Sequence, residues 1–285
     1  MLQEVKTILR GIGQIMLQEN ALTGLLFLVG ILFNSRIMFL GALVGLLAGT
    51  LTAHALKYDK EEIKRGLYGF NGALVGIAMF CFYEFGFESF FLAIFGSALS
   101  SVVMHFMHKK NPFPFTFPFI ISTWAIMLVN KYANLVGELS AGSANQTQSL
   151  GLLSSLSMGF GQVMFQASIV TGVIFLIAIL INSRISALGA LLGSVLGMAT
   201  AVIFSWPMNL INVGLFGYNA VLCGIAFSEK KKLSFIFVFF STVLSALIIK
   251  LMMVYNLPAL TFPFVLSSWI ILVVRYFVTR PKKTA

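Results

Sequence analysis

Charge is the scarcest ingredient of this sequence. Of its 285 residues only 10% are Asp, Glu, Lys or Arg, against 59% that are hydrophobic, and the mean hydropathy is +0.96. A water-soluble domain needs more polar side chains than this to cover its surface. Instead, long apolar stretches recur along the whole chain, and runs of roughly 20 such residues read as helices that cross a bilayer. No soluble domain is left once those runs are assigned. The opening stretch MLQEVKTILRGIGQIMLQEN lacks the apolar core and small-residue cleavage site of a signal peptide, so it is expected to be mature protein.

Other absences narrow the chemistry. Cys81 and Cys223 both lie in apolar runs with no metal-ligand spacing around them, which reads as buried thiols in helices. There is no GxxxxGK[ST] loop, no HExxH and no GxSxG, so neither ATP use nor a hydrolase arrangement is expected, and no cofactor is implied. The formal net charge of +10 does not point to nucleic acid, because the basic residues sit between apolar spans and not on one face.

What the sequence does have is an internal repeat. GIGQIMLQENALTGLLFLVGILFNSRI, from Gly11, returns as GFGQVMFQASIVTGVIFLIAILINSRI, from Gly159. At that offset of 148, residues 11–78 match 159–226 at 32 of 68 positions without a gap. Further on, NPFPFTFPF from Asn111 returns as NLPALTFPF from Asn256, at offset 145. A repeat this dense marks duplicated structural units. Five crossings are expected in each: near 20–34, 37–56, 67–83, 89–107 and 117–134, then near 168–182, 185–205, 213–228, 233–253 and 262–278. Residues 1–134 form the first repeat and 152–285 the second, joined by a polar, small-residue linker at 135–151.

With the N-terminus in the cytoplasm, 16 of the 19 Lys and Arg fall inside, among them Lys230, Lys231, Lys232, Arg280, Lys282 and Lys283. Only Arg36, Lys131 and Lys250 fall outside. The positive-inside rule therefore supports ten crossings with both termini cytoplasmic. Five is odd, so the second repeat enters the membrane from the opposite side. The expected fold is an all-α integral membrane protein of two inverted five-crossing repeats, with a pseudo-two-fold axis in the membrane plane.

A pathway between such repeats would be lined twice by equivalent residues. Gly41, Gly45 and Gly49 recur as Gly189, Gly193 and Gly197, at a spacing suited to close helix packing. Gln14 and Gln162 precede the first crossing of each repeat, in segments too short and mixed to span alone. These segments read either as re-entrant half-helices or as amphipathic helices on the membrane surface. Thr116 and Thr261 each stand two residues before a proline in a duplicated TFPF. They offer hydroxyls beside freed backbone carbonyls, or else bond their own helix. Asn71 and Asn219 are expected to tie neighbouring backbone, with Leu74 and Leu222 one turn deeper. No carboxylate, Lys or Arg recurs mid-membrane in both repeats, which disfavours a proton- or sodium-driven carrier and an intramembrane enzyme. Passive conduction of a small uncharged solute remains.

These motifs resemble the urea transporter (urea channel) family. The resemblance rests on GFGQVMFQ ending at Gln166, on the aspartate of LKYDKEEIKRGLYGFNGALVG, and on an LPxxTxPF pattern at Leu257, Pro258, Thr261, Pro263 and Phe264. It covers nearly the whole chain. It implies two pore half-helices in each repeat, carbonyl ladders that accept the amide protons of urea, and apolar side chains against its flat faces. It further implies a homotrimer with one pore per protomer, in the plasma membrane, here a bacterial inner membrane. By motif, Gln14 and Gln162 become polar pore residues, Leu74 and Leu222 slot residues, Thr116 and Thr261 neighbours of the ladders, and Phe165 an aromatic wall. The chain departs from the pattern in three ways. Asn20-Ala21 and Ser168-Ile169 stand where the family has Asn-Pro. Leu17 replaces an aromatic residue. The first ladder motif reads FPFTFPF from Phe113. A channel of the same fold for ammonia, short amides or water is the alternative.

Overall fold

In a computed structural model the chain is a series of helices, described over residues 2–139, 149–229 and 234–279. The centre of the linker, and Lys230–Lys232, Arg280, Lys282 and Lys283 of the charge pattern, lie outside the described residues. The first repeat contains α1 (Leu2–Gln14), α2 (Ala21–Asn34), α3 (Arg36–Ala55), α4 (Lys60–Lys64), α5 (Phe70–Phe82), α6 (Phe87–His108) and α7 (Phe117–Ala133). The second contains α8 (Leu152–Gly161), α9 (Ile169–Asn182), α10 (Arg184–Ile203), α11 (Met208–Asn212), α12 (Tyr218–Phe227), α13 (Ser234–Val254) and α14 (Phe262–Thr279). Each expected crossing coincides with a helix. Helices α3, α6, α10 and α13 are long and apolar enough to traverse a bilayer. Helices α2, α5 and α12 are apolar but shorter.

Local chemistry explains the breaks. Asn20 caps α2 by accepting the Thr23 N–H at 3.0 Å, and Ser168 caps α9 by accepting that of Thr171 at 3.3 Å. Both starts are thus secured without the proline the family pattern would place there. Ser35 and Ser183 each separate two helices by a single extended residue and cap the second through the hydroxyl. The linker's start is tied to the end of α5. The Glu84 N–H donates to the Gly137 carbonyl, and the Leu139 N–H to that of Phe82.

Glycine sets the spacing inside each repeat. A Cβ on Gly45 of α3 would lie 2.0 Å from the Gly72 carbonyl oxygen of α5, and one on Gly193 of α10 would lie 2.2 Å from that of Ala220 of α12. Backbone rests on backbone at both places, as the duplicated glycines predict.

Between the repeats the contacts are reciprocal. The Thr23 hydroxyl donates to the Ala178 carbonyl at 2.9 Å, and its equivalent Thr171 to Gly30 at 3.0 Å. Midway, the rings of Phe27 and Phe175 sit 4.8 Å apart. The start of α2 thus meets the end of α9 and the reverse, so these two helices run antiparallel.

Candidate functional site

The seam between the repeats gathers Thr116, Thr261 and Phe165, whereas Gln14, Gln162, Leu74 and Leu222 have their main contacts within their own repeats. Helix α1 ends at Gln14, and the chain turns back through Leu17 at φ 58°. In the second repeat α8 continues into a 3-10 turn at Gln162–Met164 and reverses through Phe165 at φ 61°. Together α8 with this turn and α9 form a segment bent by 74°. Residues 11–16 are buried while residues 3–6 are exposed. Burial in α1 is thus concentrated at its C-terminal end.

The two glutamines are anchored alike. Gln14 Nε2 donates to the Arg65 carbonyl at 3.1 Å, and Gln162 Nε2 to that of Val213 at 3.2 Å. Among the described residues no donor reaches either Oε1, so each side chain keeps a fixed acceptor.

Asn71 and Asn219 act at the second break. Asn71 Oδ1 accepts the Phe119 N–H at 3.1 Å, and Asn219 Oδ1 that of Phe264 at 3.0 Å. In an uninterrupted helix those N–H groups would bond the carbonyls of Phe115 and Leu260, four residues back. Diverting them releases the carbonyls. The Leu260 carbonyl accepts instead from the Tyr218 hydroxyl at 2.5 Å and from Asn219 Nδ2 at 3.3 Å. Among the described residues nothing donates to the Phe115 carbonyl.

Thr116 and Thr261 do not bond their own helices. Their hydroxyls meet each other across the seam at 2.7 Å, both buried. One proton serves that contact, and the other hydroxyl proton stays available. Around them Trp124 Nε1 donates to the Pro258 carbonyl and Trp269 Nε1 to the Phe113 carbonyl, each at 2.9 Å. Phe165 stands edge-on to Phe82 at 5.4 Å and to Phe119 at 6.3 Å. Leu74 and Leu222 are fully buried in α5 and α12, which pack chiefly within their own repeats.

Two cavities adjoin this seam on equivalent elements. One of about 500 Å³ lies between Leu17, Phe113 and Phe115 on one side and Glu229, Arg275 and Tyr276 on the other. The second, about 800 Å³, lies between Phe82, Tyr83, Lys131 and Glu138 and the turn Asn256–Pro258. Glu229 and Arg275 are joined by two hydrogen bonds of 2.7 and 3.0 Å. The cavities thus carry charged groups at their margins, and the threonine pair between their lining turns carries none.

Sequence reasoning gave no role to Gln18 and Gln166, Asn34 and Asn182, or Trp124 and Trp269, although Gln166 closes one of the motifs that carry the resemblance. Each is identical at the equivalent position of the other repeat, and that duplication was the signal available. Their partners are as many as 164 residues away.

A family model described as urea transporter matches residues 5–276. Among curated proteins, urea transporter 1 of Mus musculus is 32% identical over 300 residues, covering 95% of this chain and 77% of the mouse protein. Urea transporter 1 of Ovis aries is 33% identical over 301 residues, with the same coverage. That of Rattus norvegicus is 31% identical over 300 residues. On this match over nearly its whole length, the chain belongs to the urea transporter family.

Proposed function

We propose that this multi-pass membrane protein, a transporter and not an enzyme, conducts urea passively through the seam between its repeats. The observation that carries the reading is the Thr116–Thr261 hydroxyl contact, flanked by cavities built on equivalent elements. Urea is flat, uncharged and rich in N–H donors. Fixed acceptors at Gln14, Gln162 and the Phe115 carbonyl could replace its water, as filter carbonyls do for ions. Leu74, Leu222 and Phe165 supply apolar walls that give a hydrated ion no substitute for its shell.

In this reading the protein has ten crossings in two inverted repeats, with α1 and α8 as re-entrant half-helices. The antiparallel, reciprocal contacts of α2 with α9 support the inversion. The repeats run from 1 to 134 and from 152 to 285, about the 135–151 linker. Both termini face the cytoplasm of a bacterial cell. The protomer works in a homotrimer, each copy with its own pore.

Stopped-flow urea efflux from vesicles holding the purified protein tests the proposal. Flux should follow the gradient and stop at equal concentrations. Accumulation driven by a proton or sodium gradient would overturn it. Leu17, on the wall of the smaller cavity, favours a second reading in which a different small neutral solute is preferred. Parallel swelling with urea, acetamide and glycerol separates the two.

A further inference from the structure

The second glutamine of each GQxxxQ stretch has no part in the pathway described above. Gln18 and Gln166 are essentially without solvent exposure, at 1% and 0%. Each closes its own turn: Gln18 Nε2 donates to the Met16 carbonyl at 2.9 Å, and Gln166 Nε2 to that of Met164 at 2.6 Å. Each also reaches the opposite repeat. Asn182 Nδ2, at the end of α9, donates to Gln18 Oε1 at 2.7 Å. Asn34 Nδ2, at the end of α2, donates to Gln166 Oε1 at 2.9 Å.

The residue just before each glutamine is Leu17 or Phe165, a non-glycine residue held in a left-handed conformation. Such a conformation persists only where its surroundings over-determine it. Inside the turn, backbone bonds from Gln18 to Gly13 and from Gln166 to Gly161 supply part of that constraint. The amide crossing from the other repeat supplies a part that depends on how the two repeats sit together. Leu17 lines one cavity and Phe165 packs on Phe82, which lines the other.

We propose that Gln18 with Asn182, and Gln166 with Asn34, are positioning residues that set the separation of the apolar walls and so the discrimination between urea and bulkier amides. Each pair locks the turn of one repeat to the helix end of the other, so a wall cannot shift unless the seam shifts with it. The inference rests on the passive-channel reading.

Asn34 and Asn182 are themselves exposed, so truncating them opens no cavity in the core. The variants are Asn182→Ala and Asn34→Ala, which remove the donor, with Asn182→His and Asn34→His, which keep a ring N–H able to donate. The first readout is the ratio of urea to thiourea flux in vesicles, which the amount of folded protein does not change. Loss of one hydrogen bond should move that ratio toward thiourea by about two- to tenfold in each alanine variant, with recovery in the histidine variants. The second readout, amide hydrogen exchange, needs no flux. It should quicken around Leu17 in Asn182→Ala and around Phe165 in Asn34→Ala. Unchanged exchange at both turns, or an unchanged ratio in a conducting protein, overturns the inference. A ratio altered alike by alanine and histidine overturns it too, because packing would then be the cause. A parent protein that passes no urea defeats the channel reading alone, and exchange still decides whether the pairs hold the turns.

Discussion

Tyr58, Glu62 and Tyr68 of the first repeat stand where the second has Trp206, Leu210 and Phe216, and His105 stands where the second has Lys250. In the first repeat the His105 and Tyr58 rings stack at 3.7 Å, and Tyr68 donates to Glu62 while lying 3.2 Å from His105 Nδ1. Burial pushes the Tyr58 phenol above its ordinary pKa. In the second repeat Lys250 Nζ lies 6.0 Å from the centre of the Trp206 ring, which packs on Phe216 at 4.7 Å. An aromatic platform with a basic side chain against it survives, but every polar detail has changed. At the seam the opposite holds. Thr23 and Thr171, Gln18 and Gln166, Asn34 and Asn182, Trp124 and Trp269 are identical, and each makes the bond its counterpart makes, with one contact from Gln166 to the Met38 sulfur added on one side. The difference has a geometric origin. Where equivalent helices of the two repeats meet, a contact such as that of Thr23 with Ala178 recurs with the roles exchanged, as that of Thr171 with Gly30. A contact within one repeat carries no such obligation.

The comparison would break most visibly at the slot. If the repeats contribute equivalent walls, Leu74→Trp and Leu222→Trp should each cut urea flux to the vesicle background. Both variants should still elute as folded protein, the larger ring costing about 1–3 kcal/mol of overpacking. Stopped-flow flux beside size-exclusion profiles checks this. Full block by one and normal flux through the other would show that the repeats do not share the constriction equally.

The threonine pair gives a smaller effect and a sharper comparison. Thr116→Val and Thr261→Val each keep side-chain size and lose a hydroxyl. Loss of one hydrogen bond to a desolvated permeant is worth about 0.5–1.5 kcal/mol, so flux per folded protomer should fall several-fold in either variant, and by similar amounts. The two hydroxyls already share one bond. The double variant should therefore fall short of the product of the single effects. Normal flux in both single variants removes the pair from the pathway.

How far the sequence revealed this arrangement depended on whether a feature is written locally. The glycine packing was legible, because small residues four apart imply close helices whatever the partner. So were the helix positions, from apolar run length, and the backbone-tying role of Asn71 and Asn219, from the cost of an unbonded amide in lipid. The left-handed turns at Leu17 and Phe165 were not, since neither residue type signals that conformation. Nor were the short helices α4 and α11, which are too brief for any periodicity to register. For Thr116 and Thr261 the duplication pointed to the pair, but only the folded chain shows their hydroxyls bonded to each other. The partner of Gln18 was invisible for the same reason. Asn182 is chosen by the docking of two repeats, and nothing in either local segment encodes it.

The smallest expected effect lies at the platforms, and it tests whether divergence there is free of function. Lys250 over Trp206 is a cation–π contact of the kind worth about 0.5–1 kcal/mol at exposed sites. Lys250→Met keeps the aliphatic stem against the ring and removes the charge. Thermal unfolding in detergent should therefore show a destabilisation of no more than about 1 kcal/mol, with urea flux per folded protomer unchanged. His105→Met removes both the stack on Tyr58 and a bonding partner of Tyr68, so it should destabilise more, again without altering flux. If both hold, the platforms only steady α6 and α13, and their sequences were free to diverge because no partner in the other repeat depended on them. If Lys250→Met slows urea while leaving stability intact, a charge outside the seam takes part in conduction. The contrast between a constrained seam and an unconstrained periphery would then fail at that position.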